Sequence, residues 1–303
     1  MSTPNSSSLS SPFTSSLSPS TSSFIFSGFD LSGRNAFITG GSSGLGKAIA
    51  KGLLAAGATV IIGSRSKSKI DSAIEELHTY LVSQSSSSST TTSTSTKRIF
   101  GIEIDVEQST SIQEVFTTLW STYNQIDILV NAAGILNRAK AEDELVDDFN
   151  RVLRTNVTGT FVCCQEAAKR WKTSTNIPTG GFAILNIASL TSTIALSDVT
   201  AYACSKAAIA QLTRQLANDW SRYSIRINAI APGVFPTDIN RAAIMGTPRG
   251  EWMIKQTPMD RFGNSYEISG LAIYLCSPSA SFTTGDVIPC DGGFLSRGVG
   301  PTN

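Results

Sequence analysis

The chain is short of the residues that several common chemistries require. It contains one histidine, His78, set in a charged helical stretch. A single histidine excludes a Ser-His-Asp hydrolase in practice and leaves no basis for a histidine-rich metal site. Its five cysteines (Cys163, Cys164, Cys204, Cys276 and Cys290) form no Cys-x-x-Cys pair. Odd in number and placed in apolar segments, they read as reduced, buried thiols of an intracellular protein. No apolar run approaches the length of a membrane span. The formal net charge of +1 gives no excess that would draw the protein to nucleic acid or to an anionic membrane. The 41% of hydrophobic residues spread over 303 positions suffice for one large α/β core.

Residues 1–27 are mostly Ser, Thr and Pro and carry no charge. That composition cannot bury a core, so a disordered tail is expected there, ahead of a domain over 28–298. The tail lacks the basic start of a secretory signal, and no arginine precedes Arg34 as a transit peptide would require. A cytoplasmic location is expected, with organelle targeting left open. A second low-complexity run, 83–96, is almost pure Ser and Thr and reads as a surface insertion.

Between these runs, strand and helix patterns alternate. Strands are expected at 35–39, 58–63, 98–104, 126–130, 182–188, 225–230 and 286–290, with amphipathic helices between them. The pattern implies a doubly wound α/β fold: seven parallel strands in a three-layer α/β/α arrangement. The first strand runs into Thr39-Gly40-Gly-Ser42-Ser-Gly44-Leu45-Gly46 and then a helix. Strand, glycine turn and helix together set a pyrophosphate on a helix N-terminus. The second strand ends in Ser64-Arg65, followed by Lys67 and Lys69, with no carboxylate before Asp71. A carboxylate there would select NAD; an arginine accommodates a 2′-phosphate, so NADP(H) is the expected cofactor. A solvated basic loop is the plainer alternative. Asp105 and Val106 close the third strand; Asp105 meets an adenine amino group or caps the next helix. The fourth strand ends in Asn131-Ala-Ala-Gly134, small residues that admit a ligand. Asn156 lies in an apolar helix and must have polar partners there, either in a helix kink or in a water chain.

The most informative spacing is Ser189, Tyr202 and Lys206. Ser189 follows the fifth strand, where it polarises a substrate oxygen or caps a turn. Tyr202 and Lys206 share a helix face at i and i+4. An ammonium there is expected to lower the phenol pKa towards neutrality and fit it for proton transfer. Pro232-Gly233-Val234 bends the chain after the sixth strand, and Thr237 opens a helix. Residues 238–262 read as a lid, mostly apolar, with Arg241, Arg249 and Lys255 as candidate anion contacts. Every special segment falls just after a strand, the edge at which such sheets bind ligands.

With these motifs in this order, residues 29–297 resemble the short-chain dehydrogenase/reductase family in its single-domain form. The resemblance implies that Tyr202 is the general acid or base, Lys206 lowers its pKa and binds the nicotinamide ribose, and Ser189 orients the carbonyl. It further implies that Asn156 holds a water in a proton relay. Gly40, Ser42, Gly44, Leu45 and Gly46 would surround the pyrophosphate, and Ser64 and Arg65 would take the 2′-phosphate. Asp105 and Val106 would meet adenine, Asn131 and Gly134 the middle of the cofactor, and Pro232, Gly233, Val234 and Thr237 its nicotinamide end. Two positions depart from the family pattern: Ala132 replaces a second Asn, and Ala188 a first Ser. The implied reaction is metal-free hydride transfer between NADP(H) and a ketone or secondary alcohol. A secondary-metabolite ketone, a 3-oxoacyl thioester and a sugar or polyol all remain open as substrate. By the same resemblance a homotetramer or homodimer is expected, without nucleic-acid or membrane partners. The alternatives are a non-catalytic NADP-binding redox sensor and a lyase or epimerase on the same fold.

Overall fold

The computed structural model describes residues 27–85 and 98–298. Seven parallel strands form one sheet in the order β3-β2-β1-β4-β5-β6-β7. They are β1 (Asn35–Thr39), β2 (Thr59–Ser64), β3 (Ile99–Glu103), β4 (Ile128–Asn131), β5 (Phe182–Ile187), β6 (Ile225–Pro232) and β7 (Val287–Cys290). Each expected strand is present, β1 at its expected limits and the others with limits moved by a residue or two. The order reverses direction between β1 and β4, which opens a crevice at their carboxyl ends.

Helices cover both faces. Helices α1 (Gly44–Ala55), α2 (Lys67–Ser85) and α9 (Glu267–Cys276) lie on one side. Helices α3 (Ser109–Tyr123), α5 (Gly159–Trp171) and α6 (Thr200–Trp220) lie on the other. The strands divide their side chains between the faces by simple alternation. Ile38, Ile62, Val130 and Leu185 enter the first core, and their chain neighbours Phe37, Ile61, Leu129 and Ile184 enter the second. Both faces are therefore apolar, which is why the strands read as continuous hydrophobic runs. The first core is drawn tight where Gly52 of α1 meets α9: a Cβ there would lie 2.6 Å from Ser269 Cβ.

The segment between β4 and β5 departs from the single helix suggested by the sequence. It comprises α4 (Val146–Leu153), a π-helical turn (Arg154–Thr158) and then α5. The helix after β2 is longer than expected and takes in Ser83, Gln84 and Ser85 from the low-complexity run. The rest of that run, and the expected tail up to residue 26, lie outside the described residues. After β6, two short helices follow, α7 (Arg241–Ile244) and α8 (Pro248–Gln256). Among the described residues no helix is long and apolar enough to cross a membrane.

Candidate active site

The sheet register places polar side chains in one row near the strand ends. Thr39 pairs with Asn131, and Asn131 with Asn186. All three are buried. Asn131 Nδ2 donates to Asn186 Oδ1 at 2.9 Å and to Cys164 Sγ at 3.2 Å, and Asn186 Nδ2 donates to Thr213 Oγ1 at 3.0 Å. Asn131 thus braces the sheet floor and is not part of the cleft wall as expected from the sequence. Its Oδ1 has no partner.

Above this floor, the turn after β1 packs hard on the turn after β4. A Cβ on Gly40 (φ +68°) would lie 2.7 Å from Ala133 N, and one on Gly46 would lie 2.3 Å from Gly40 O. Only glycine allows α1 to start directly over its own turn. Ser43, the residue before α1, is extended and makes no side-chain cap. The first N–H groups of α1 therefore keep their capacity for an anion in the cleft. Gly40, Gly44, Leu45 and Gly46 line that cleft, and Ser42 is buried outside its wall.

The chemistry-bearing groups converge beyond β5. Ser189 is extended (φ −168°), and its Oγ accepts a hydrogen bond from Thr191 N at 3.1 Å. That contact occupies a lone pair and leaves the hydroxyl proton free. Ser189 thus caps the turn while also lining the cleft beside Tyr202, whose pKa it lowers. Tyr202 sits in the first turn of α6, one turn before Lys206. Lys206 is buried, and its Nζ donates to Ile187 O at 2.6 Å and lies 5.5 Å from the centre of the Tyr202 ring. Asn156, in the π turn, is satisfied on both sides. Its Oδ1 accepts from Ile135 N at 2.8 Å, and its Nδ2 donates to Ile135 O at 2.9 Å and Ser205 Oγ at 3.0 Å. Ser205 in turn donates to Tyr202 O at 2.7 Å. Gly134 fits between them, since a Cβ there would lie 3.2 Å from Asn156 Oδ1 and 3.9 Å from Lys206 Nζ.

The electrostatics correct one expectation. Burial pushes the Tyr202 phenol above its ordinary range, and the Ser189 hydrogen bond and the Arg138 charge only partly oppose it. Lys206 is not among the groups that hold it down. Its ammonium is turned onto the Ile187 carbonyl, and burial lowers its own pKa to about 8.

The outer wall was only partly legible. Arg138 lines the cleft with Nη1 buried and unpartnered. Burial and the nearby Arg249 charge lower its pKa. A lone arginine four residues past Gly134 was the available signal, and it was missed. Arg249 of α8 also lines the cleft; its Nη2 donates to Ser197 O at 2.9 Å and its Nη1 pairs with Asp198 at 3.4 Å. Arg241 and Lys255 do not line it. The residues after β6 that close the cleft are Phe235, Asp238, Ile239, Asn240, Ile244 and Met253, beside the expected Pro232, Gly233, Val234 and Thr237. Met245 and Trp252 are exposed on the outside.

This geometry has close relatives. The family described as enoyl-(acyl carrier protein) reductase matches residues 40–295. The chain belongs to the short-chain dehydrogenase/reductase family. As a member it is an oxidoreductase that acts on CH–OH groups. Gluconate 5-dehydrogenase of Gluconobacter oxydans is 34% identical over 265 residues, which cover 88% of this chain and 96% of that protein. The 2-dehydro-3-deoxy-D-gluconate 5-dehydrogenase of Formosa agariphila is 31% identical over 277 residues, covering 91% and 97%. The crystal structure of a gluconate 5-dehydrogenase from Burkholderia cenocepacia, in complex with NADP and tartrate, superposes with a TM-score of 0.79 at 31% identity. It covers 90% of this chain and all 100% of its own.

The two departures from the short-chain dehydrogenase/reductase pattern are accommodated as small residues. Ala132 and Ala188 both line the cleft, and Ala132 Cβ would lie 3.2 Å from a Cβ at Gly46. On the far side of the β1 turn, Asp105 does not cap the next helix. Its Oδ1 accepts from Glu107 N at 3.0 Å in a tight turn, and Gln108 is the residue before α3. The Val106 carbonyl would lie 2.5 Å from a Cβ at Gly159, so it is pressed against α5. Arg65 pairs with Glu107 at 3.5 Å. Ser64, Arg65, Asp105, Val106 and Asn156 therefore surround the cleft region without lining its main cavity.

Proposed function

We propose that this protein interconverts a ketone and a secondary alcohol with NADP(H), and that its substrate is a small polyhydroxylated carboxylic acid of the sugar-acid type. The observation that carries the reading is the convergence of Ser189, Tyr202 and the Arg138 guanidinium in one cleft, where the hydroxyl and the charge both lower the phenol pKa. The cofactor fits the residues present. The uncapped N-terminus of α1 suits a pyrophosphate, and the end of β2 offers Arg65 and no carboxylate. When bound, the nicotinamide supplies or accepts the hydride.

The protein's own groups handle the oxygen and its proton. Ser189 and Tyr202 donate hydrogen bonds to the carbonyl oxygen and stabilise the negative charge that develops there. Tyr202 gives its proton as the alcohol forms, and takes it back in oxidation. A phenol raised by burial keeps its proton at neutral pH, as the donor role requires; the cationic Arg138, which lowers its pKa, eases the loss of that proton. Asn156 fixes the Ile135 backbone and the Tyr202 turn in one frame and so holds the phenol in place. Leu196, Val199, Ile244 and Met253 exclude water from the reacting centre.

The unpartnered Nη1 of Arg138 and the lid residue Arg249 are suited to a substrate carboxylate, which a planar guanidinium binds through paired hydrogen bonds. The gluconate-dehydrogenase names of the relatives support a sugar-type substrate over a 3-oxoacyl thioester, and Arg138 carries the choice of an acid over an uncharged polyol. The relatives are named as enzymes, and none of their names supports the redox-sensor alternative.

The test compares NADP+-dependent oxidation of gluconate with that of sorbitol, its uncharged analogue, in wild type, Tyr202→Phe and Arg138→Ala. Tyr202→Phe is expected to lower kcat at least about a hundredfold, the usual contribution of a general acid–base group, while NADPH binding is retained. Arg138→Ala is expected to raise KM for gluconate about tenfold or more, as for a lost charged hydrogen bond, and to leave KM for sorbitol unchanged, with kcat for both lowered by loss of the charge beside Tyr202. Equal use of gluconate and sorbitol by the wild type would refute the sugar-acid assignment.

A further inference from the structure

Beyond β2 the chain gathers basic residues, and beyond β3 it sets an acid against them. Arg65 Nη1 lies 3.5 Å from Glu107 Oε1. Lys67 is paired with Asp71 one turn along α2. The two members of the Arg65–Glu107 pair differ in freedom. The Arg65 side chain is 60% exposed, that of Glu107 17%. Glu107 Oε1 accepts a hydrogen bond from Thr155 Oγ1 at 2.8 Å, and Thr155 is buried in the π turn next to Asn156. The Glu107 backbone N–H is held by Asp105 at 3.0 Å. Glu107 is thus held at its backbone and at one carboxylate oxygen, by a hydroxyl that also faces Arg151 O at 2.9 Å, and the guanidinium is the partner able to swing. At 3.5 Å the contact is longer than the ~2.7–2.9 Å of a charge-assisted hydrogen bond. It attracts Arg65 without clamping it.

We propose that Glu107 is a specificity-determining counter-charge, competing with the 2′-phosphate of NADP(H) for Arg65 and so holding down the discrimination between phosphorylated and unphosphorylated cofactor. The inference rests on the NADP(H) reading above. A ribose 2′-hydroxyl is uncharged and gains little from a freed arginine. A 2′-phosphate, with a charge of about −1.5 to −2 at neutral pH, must share Arg65 with an anchored carboxylate.

The experiment measures dissociation constants by titration calorimetry for NADPH, NADH, adenosine 2′,5′-bisphosphate and adenosine 5′-phosphate. The proteins are wild type, Glu107→Gln, Arg65→Gln and the double variant. Glu107→Gln removes the charge and keeps an oxygen to accept from Thr155. NADPH and the bisphosphate are expected to bind about two- to fivefold more tightly to it, the range for a partly exposed ion pair. NADH and adenosine 5′-phosphate are expected to be unchanged, and the gain is expected to vanish when Arg65 is also replaced. Glu107→Ala, which depends on no amide geometry, is expected to shift in the same direction and stands in should Glu107→Gln fail to fold. Unchanged or weaker binding of the 2′-phosphorylated ligands, or equal tightening of all four, would overturn the role of Glu107. If Arg65→Gln weakens NADPH while Glu107→Gln does nothing, the cofactor reading stands and the competition falls. If wild type prefers NADH and Arg65→Gln changes neither cofactor, the cofactor reading itself falls, and this inference with it.

Discussion

Replacing Lys206 by methionine should stabilise the ligand-free protein at neutral pH, and the size of the stabilisation should depend on pH in a fixed direction. Lys206 is buried, and its pKa falls from 10.5 to about 8 for that reason. A shift of that size corresponds to roughly 3 kcal/mol spent keeping the ammonium charged in the folded state. The hydrogen bond from Nζ to Ile187 O, at 2.6 Å, returns about 1–3 kcal/mol. Methionine has a similar length and no charge, so it removes both terms, and the net change at pH 7 is a small gain. The pH dependence isolates the first term. Between about pH 8 and 10.5 the unfolded chain binds this proton more tightly than the folded chain, so wild-type stability rises with pH across that window. The variant lacks the rise. Chemical denaturation of both proteins should therefore show wild type gaining about 2–3 kcal/mol on Lys206→Met between pH 7 and pH 10. Other groups titrate equally in both proteins and cancel in the difference. A difference that stays flat, or that moves against wild type, would refute the claim that burial dominates at Lys206.

Two further substitutions probe the scaffold of the cleft. Gly46→Ala would place a methyl 2.3 Å from the Gly40 carbonyl, forcing α1 off its turn. It should cost about 1–3 kcal/mol and weaken NADPH at least about tenfold, read by thermal melting and cofactor titration. Arg226, buried in β6, donates to the carbonyls of Gly180, Leu275 and Ser277 at 2.8, 2.8 and 3.1 Å. Arg226→Met should leave all three unpaired and destabilise the fold by about 3–5 kcal/mol, seen as a lower urea midpoint with an unchanged slope.

The sheet was legible because strands buried on both faces leave unbroken apolar runs, and because Gly40 and Gly46 mark places where backbone meets backbone. The Ser189, Tyr202 and Lys206 spacing was legible because a strand end and one helical turn fix it. Three things were not. The direction in which Lys206 points depends on the Ile187 carbonyl, which belongs to another element, and i,i+4 geometry alone carries no sign of the burial that raises Tyr202. Of the two readings of Asp105, the helix cap fails because two turn residues, Val106 and Glu107, intervene and leave no sequence signature. Arg138 was overlooked because its meaning comes from Arg249 and Tyr202, which the fold brings to it from 64 to 111 positions further along the chain. Side chains on loops acquire their role from neighbours that no local pattern encodes.

The π turn at Arg154–Thr158 sets the phase of the helical segment on either side of it. In an uninterrupted α-helix, positions seven apart return to within about 20° of each other. Asn156 would then share a stripe with Cys163, whose side chain is wholly enclosed in the second core. A wider turn carries about one residue more than an α-turn and rotates the helix before it out of step with the helix after it. Asn156 can thereby look towards Ile135 and Ser205 while Cys163, Ala167 and Trp171 keep their apolar register. One surplus residue lets a single continuous rod present a polar instruction and a hydrophobic one to different listeners.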